Sequence, residues 1–413
     1  KTGSQLHRRN CAVVLKNSER MKKMKTTELK KALATGGLDG RLSEIYGAQA
    51  LAGQKMRYLR AVEEFEALYG RDREAALYSV AGRSELSGNH TDHNHGCVVA
   101  ASIDLDIIAV ASASAGSVIR VKSEGFPEDA VDFDAYSAPD PARYEKSASL
   151  IAGMVAGFRK EGLQVGGFDA YTTSNVLKGS GISSTAAYED MIGNILNYEY
   201  NGGRVSNVEI AKLAQYAENR FFGKPCGLMD QMACAVGGII AIDFRDPAAP
   251  VIEKTDFDLS AAGYNLGIVN TGGNHADLTG DYASVPAEMK SVAAYFGKEV
   301  LRDVDEQAVI DAIPALREKV GDRAILRALH FFAENRRVAA QKQALQAGDL
   351  DTFLANVIAS GRSSFCYLQN VYTTKNVAEQ GLSLALCLAE RVLSGKRAAW
   401  RVHGGGFAGT IQA

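Results

Sequence analysis

The chain has 413 residues, with 46 Lys plus Arg against 48 Asp plus Glu, a net charge of −2, and 46% apolar residues. That balance excludes a mostly disordered chain and gives no electrostatic basis for a nucleic-acid or membrane-surface partner. No apolar run approaches the ~18–20 residues of a membrane span.

The early cluster Cys11-Ala-Val-Val-Leu15 is too short for a secretory h-region and runs into lysines, so a cytoplasmic chain is expected. At ~100–200 residues per domain, the length predicts two or three domains. The cysteines at 11, 97, 226, 234, 366 and 387 form no C-x-x-C pair and no zinc spacing, and read as reduced, mostly buried thiols.

Residues 1 to about 50 open basic and polar, and from Thr27 a broken 3.6 period predicts helices on the outside of the core. A helix follows over 55–68, with Leu59, Val62, Phe65 and Leu68 at spacings of three. The apolar runs Ala75–Val80 and Ile103–Val110 predict strands. Helices are predicted over 148–160 and 183–197, and from Ser206, where Glu209 completes a capping box. The polar stretch Asp243–Gly263, with Pro247 and Pro250, is the candidate domain junction. A strand over Tyr264–Asn270, a helical region over about 284–395 and a last strand into Gly404-Gly-Gly406 complete an α/β or α+β pattern.

Three segments carry candidate chemistry. Leu177-Lys-Gly-Ser-Gly-Ile-Ser-Ser-Thr-Ala-Ala187 sets glycines and hydroxyls at a helix start, either an anion site or a plain turn with a serine cap. It is neither a Walker A loop nor a Rossmann fingerprint. Gly82-Arg-Ser-Glu-Leu-Ser-Gly-Asn-His-Thr-Asp-His-Asn-His-Gly96 reads as a loop of donors and acceptors. Its three histidines follow no familiar zinc spacing, and its mix of groups suits a polyol better than a metal. In Glu218-Asn-Arg-Phe-Phe-Gly-Lys-Pro-Cys-Gly-Leu-Met-Asp-Gln231, the carboxylates Glu218 and Asp230 are either a metal ligand and a general base, or a helix-end charge and a turn residue.

In this order the three segments resemble the galactokinase branch of the GHMP kinases. Its motifs read G-R-x-N-L-I-G-E-H-T-D-Y-N-G-G, P-x-G-x-G-L-S-S-S-A and C-G-I-M-D-Q. A late glycine motif is matched by His403-Gly-Gly-Gly-Phe-Ala-Gly-Thr410. The resemblance covers residues 76 to 413, leaving residues 1–50 outside it.

The resemblance implies an α/β fold of two lobes, ribosomal-protein-S5-like and ferredoxin-like. The expected divisions are a helical extension at 1–50, the first lobe at 51–250 and the second at 251–413. It implies transfer from ATP to the anomeric hydroxyl of galactose, giving ADP and α-galactose 1-phosphate, with Mg2+. By similarity Asp230 is the base and Arg83 its partner. Gly179, Gly181, Ser183 and Ser184 cradle the ATP phosphates, and Thr185 and Glu218 hold the metal. Asn89, His90, Asp92 and Tyr282 join Asp230 as sugar contacts. A monomer or weak oligomer is expected.

Leu177 replaces the family's proline, and the glutamate and asparagine of its first motif stand exchanged as Asn89 and Glu85. A lost charge at Asn89 would ease binding of a uronic acid, so a galacturonate kinase is one alternative. An N-acetylgalactosamine kinase and a non-catalytic sugar and ATP sensor are others. The chain stops at Ala413, just after the glycine motif, where the family continues with a closing strand; a longer natural chain is expected.

Overall fold

The computed structural model describes residues 3–4, 12–14, 23–176, 181–273 and 278–413. Three short strands come first: β1 (Gly3–Ser4), β2 (Ala12–Val14) and β3 (Met24–Lys25). The expected helical extension therefore begins in extended backbone, with β2 and β3 pairing along a later strand. The β-branched pair in Ala12-Val-Val14 suits a pleated edge better than a helix.

Helices α1 (Thr26–Thr35), α2 (Asp39–Tyr46) and α3 (Leu51–Tyr69) follow, then the long strands β4 (Glu74–Ser87) and β5 (Cys97–Ala113). Both strands are buried on both faces, which explains their nearly continuous apolar runs. Ala75, Leu77, Ile108 and Val110 meet α1–α3, through Leu33, Leu42, Val62 and Phe65. Ala76, Tyr78, Val80, Ile107 and Ala109 point the other way, into the main core.

That second face is covered by helices reached through β6 (Val118–Ser123) and β7 (Glu128–Asp132). They are α4 (Ser147–Lys160), then, beyond β8 (Phe168–Ser174), α5 (Ser184–Tyr200) and α6 (Asn207–Ala217). Ser206 caps α6 and Glu209 closes the expected capping box. A π-turn over Glu218–Phe222 leads to α7 (Met229–Val236) and to β9 (Ile239–Asp243).

β10 (Val251–Thr255) folds back on β9 with Val251 opposite Asp243, so the candidate junction carries a hairpin of the large sheet. That sheet runs β10-β9-β5-β8-β6-β7, with β4 on the other edge of β5, and among the described strands only β6 and β8 are parallel.

β11 (Leu266–Asn270) opens a second, antiparallel sheet. The helices α8 (Thr279–Tyr295), α9 (Glu306–Asp311), α10 (Ile313–Lys319), α11 (Asp322–Ala347), α12 (Leu350–Ser363) and α13 (Gly381–Leu393) follow. The strands β12 (Arg401–His403) and β13 (Thr410–Gln412) complete the order β1-β11-β13-β12. Gly404–Gly409 is the turn between them. Of the described cysteines only Cys234 is buried, whereas Cys366 and Cys387 are exposed, contrary to the expected burial. Among the described residues no helix is long and apolar enough to cross a membrane.

Candidate active site

Asp230 sits in the first turn of α7, where the exposed N–H groups favour an anion. Arg83 reaches it from β4: Nε donates to Oδ1 at 2.8 Å and Nη2 lies 2.7 Å from the same oxygen. The Ser183 hydroxyl donates to Oδ2 at 2.6 Å. Burial pushes Asp230 up, but the Arg83 charge and the hydrogen bonds from Ser183 and Arg83 outweigh it and hold the carboxyl below its ordinary value. The side chain remains 37% exposed, so the carboxylate can still meet a ligand.

Arg83 is itself buried and binds the segment that leads into α5. Its Nη1 donates to the Gly181 carbonyl at 2.6 Å and its backbone N–H to the Ile182 carbonyl at 3.2 Å. Gly82 permits this approach, since a Cβ there would lie 2.7 Å from the Ile182 oxygen. Gly181, at φ +76°, packs beneath the glycine motif, where a Cβ would sit 3.3 Å from His403 Nδ1.

Ser183 precedes α5 at φ +62° and makes no side-chain cap, so its hydroxyl serves Asp230 rather than the helix start where phosphate was expected. Ser184 and Thr185 are the first two residues of α5 and are half-buried. Gly179 and Lys178 lie outside the described residues.

The expected loop at 82–96 is shorter than its polarity implies. Gly82–Ser87 continue β4, with Arg83 opposite Ser102 and Glu85 opposite Ala100, and only 88–96 is loop. The polar side chains of this strand end are buried under β12 and β13. Ser84 Oγ donates to Gln412 Oε1 at 2.5 Å, and Gln412 Nε2 donates to the Glu85 carbonyl at 2.8 Å.

Asn89 differs from the expected sugar contact. It is buried, and its Nδ2 donates to Glu85 Oε1 at 3.0 Å and to the Gly404 carbonyl at 2.8 Å. Its Oδ1 accepts from Asn370 Nδ2 at 2.6 Å and Ser364 Oγ at 3.2 Å. The exchanged carboxylate and amide are thus direct partners, which keeps the negative charge of Glu85 beside Asn89.

His90, at φ +59°, pairs Nε2 with the Gly405 carbonyl at 2.9 Å. A carbonyl only accepts, so Nε2 carries the proton; burial disfavours the cation, and Nδ1 is left as an acceptor. Tyr282 donates to the Gly406 carbonyl at 2.7 Å. Asp92 lies against Gly227, where a Cβ would come within 1.7 Å of Oδ2. Glycine at 227 therefore lets the Asp92 carboxylate approach the segment that carries Asp230. Among the described residues no three His, Cys, Asp or Glu side chains converge to hold a metal.

Glu218 is buried at the end of α6, with Lys224 Nζ 3.0 Å from Oε1 and Gln231 Nε2 donating to Oε2 at 2.7 Å. The same Gln231 amide reaches Glu189 Oε2 at 3.4 Å.

Two family models match the segments that build this site: the galactokinase galactose-binding signature at residues 63–113 and the GHMP kinases N terminal domain at 149–238. Galactokinase of Streptomyces coelicolor is 31% identical over 84% of this chain and 86% of its own. That of Actinobacillus pleuropneumoniae is 32% identical over 85% and 88%. The chain belongs to the galactokinase family. It is an ATP-dependent kinase.

Its fold matches a crystal structure of Lactococcus lactis galactokinase complexed with galactose, with a TM-score of 0.73 at 24% identity over 87% of this chain and 89% of that one. It also matches Methanococcus jannaschii mevalonate kinase, with a TM-score of 0.55 at 13% identity over 81% and 89%. The mixed α/β, two-lobed GHMP fold expected from the motifs is therefore present.

In this galactokinase-family chain several site-building residues escaped the sequence reading. Asn370, Ser364 and Arg401 surround Asn89 and Glu85, and His330, Glu334 and Asn335 of α11 meet the loop that carries His90. The signal available for α11 was Arg327, His330, Glu334 and Gln341, all fully buried in one long helix. Buried polar groups require partners, and for His330 and Glu334 those partners include a loop 241 and 246 residues earlier in the chain.

Proposed function

We propose that this chain transfers the γ-phosphoryl group of ATP to the anomeric hydroxyl of galactose, with Asp230 as the base. The observation that carries the reading is the Asp230 carboxylate, partly exposed and held by Arg83 on one oxygen and Ser183 on the other. The sugar O–H donates its proton to Asp230, the freed oxygen bonds to the γ-phosphorus, and the bond to the ADP bridging oxygen breaks. A carboxylate held below its ordinary value is a weak base. It suffices when the transition state is loose and the proton leaves late. Arg83, buried and cationic, keeps Asp230 ionised and faces the transferring group.

His90 Nδ1, Asp92 and Tyr282 bind the sugar hydroxyls. Gly181, Ser184 and the start of α5, with Gly179, receive the ATP phosphates. Magnesium fits this donor set. It binds with phosphate oxygens and waters and needs only one or two protein oxygens. Glu218 and the Thr185 hydroxyl supply them, and the buried Glu189 Oε1, which has no partner, leaves further acceptor capacity nearby. Held by Glu218 and Thr185, magnesium would offset the charge that develops on the phosphates.

Asn89, whose lost charge would have eased binding of a uronic acid, is buried and spends its amide on Glu85, Gly404 and Asn370, so a neutral sugar is favoured. Coupled ADP release over galactose, galacturonate and N-acetylgalactosamine tests this. Galactose is expected to give the highest kcat/KM. Preferred turnover of galacturonate would overturn the substrate, and sugar binding with no ADP release would overturn catalysis.

A further inference from the structure

Helix α11 grips both ends of the loop that carries His90 and Asp92. Glu334 Oε1 accepts the Gly88 N–H and the Ser87 hydroxyl, each at 2.9 Å, and also the Ser360 hydroxyl. Arg337 Nε donates to its other oxygen at 2.6 Å. One turn earlier, His330 Nε2 meets the Asn89 carbonyl at 3.0 Å and Nδ1 meets Ser363 Oγ at 2.8 Å. The carbonyl requires the proton on Nε2, so Nδ1 accepts from the serine. At the far end of the loop, Asn335 Oδ1 accepts the Cys97 N–H at 2.7 Å. The backbone is thus fixed at 88, 89 and 97, on either side of His90 in its left-handed conformation.

We infer that Glu334, His330 and Asn335 are positioning residues for sugar binding, setting from the second lobe where His90 and Asp92 stand. None of the three touches the phosphate-loop segment through a described hydrogen bond, so their effect falls on the sugar and spares ATP. The inference rests on the reading of 88–96 as the sugar loop.

The test compares Glu334→Ala, Glu334→Gln, Asn335→Ala and Asp92→Ala in the whole chain. It measures KM for galactose and for ATP, kcat, and direct galactose binding by calorimetry. Glu334→Ala is expected to raise the galactose KM about tenfold or more, the scale of freeing buried hydrogen bonds, with the ATP KM unchanged. Glu334→Gln keeps an acceptor for Gly88 and Ser87 and should recover most of that loss. Asn335→Ala removes one contact from a half-buried residue and should raise the galactose KM without unfolding the chain. Equal losses for both substrates that Gln does not rescue, or an unchanged galactose KM in Asn335→Ala and Glu334→Ala, would overturn the inference. An Asp92→Ala chain with normal galactose binding would instead overturn the sugar-loop reading beneath it.

Discussion

Two carboxylates of β4 and α7, Glu85 and Asp230, each have a buried arginine partner, and they behave oppositely. Asp230 receives two guanidinium nitrogens of Arg83 at 2.7–2.8 Å and a hydroxyl on its other oxygen, and keeps 37% of its side chain exposed. Glu85 receives one nitrogen of Arg401 at 3.3 Å and the Asn89 amide, inside a closed layer between β4 and β12. Burial dominates at Glu85 and pushes it above its ordinary value despite Arg401 and Arg83. At Asp230 the arginine prevails and the carboxyl falls below its own. An arginine neighbour therefore does not by itself hold a carboxyl ionised. Close multi-nitrogen geometry together with solvent access does.

The sharpest break of this comparison is Asp230→Asn. It should lower kcat by roughly 10²–10⁴, the range for a positioned base, while ATP binding measured by calorimetry persists. Near-normal turnover would remove Asp230 from its role. Arg83→Met should cost about 10²-fold in kcat/KM through lost charge stabilisation, and it should also move the pH profile. With Arg83 present, Asp230 is ionised across the working range and its acid limb lies below the ordinary value of 3.8. Without it, only the Ser183 hydroxyl and the Lys224 charge oppose burial, and the limb should move to higher pH. A pH profile of kcat/KM that falls in size but keeps its shape would show that Arg83 does not control Asp230.

Glu85 should respond in the other sense. Its folded value lies above the unfolded 4.5, so the protonated form is the one folding favours, and that preference is lost as pH rises through the folded value. Glu85→Gln imitates that form and should change stability by less than about 1 kcal/mol, with kcat close to that of the parent. Glu85→Ala leaves Arg401 and Asn89 without their partner and should cost about 2–4 kcal/mol, read by urea melts at pH 7. If Gln destabilises as much as Ala, the charge at Glu85 matters as much as that at Asp230 and the contrast fails.

Where the physics is local, the sequence was legible. Continuous apolar runs in β4 and β5 and the Ser206–Glu209 cap are set by neighbouring residues, and they appear where expected. Asp230 and Arg83, 147 residues apart, were paired only through the resemblance of motif order, and the structure places them in contact. The second half of β4 was read as loop because Arg83, Ser84 and Glu85 are polar. Ser84 and Glu85 are buried by β12 and β13, more than 300 residues later, and no local pattern carries it. Asn89 was misjudged for the same reason, since Asn370, Ser364 and Gly404 occupy its amide from distant segments. For α11, the spacing of His330 and Glu334 puts them on one helix face but says nothing of what that face meets.

The smallest expected effect concerns Glu334, a third carboxylate, which combines the enclosure of Glu85 with a lowered value. Burial opposes its charge, but His330, Arg337, Arg401 and the Ser360 hydroxyl bring it from 4.5 down to about 2. A depressed acid contributes stability that is fully present above the unfolded value and is lost as pH falls toward the folded one. The window is therefore pH 4.5 down to 2, and at neutral pH the slope of stability with pH owes nothing to Glu334. In Glu334→Gln that part of the acid decline should vanish, so parent and variant converge as pH falls toward 2. Urea melts at pH 7, 5, 4 and 3 measure it. A constant gap between the two chains across that series would mean that the loop is held by hydrogen bonds alone. Closed burial would then neutralise Glu334 as it disfavours the charge on Glu85.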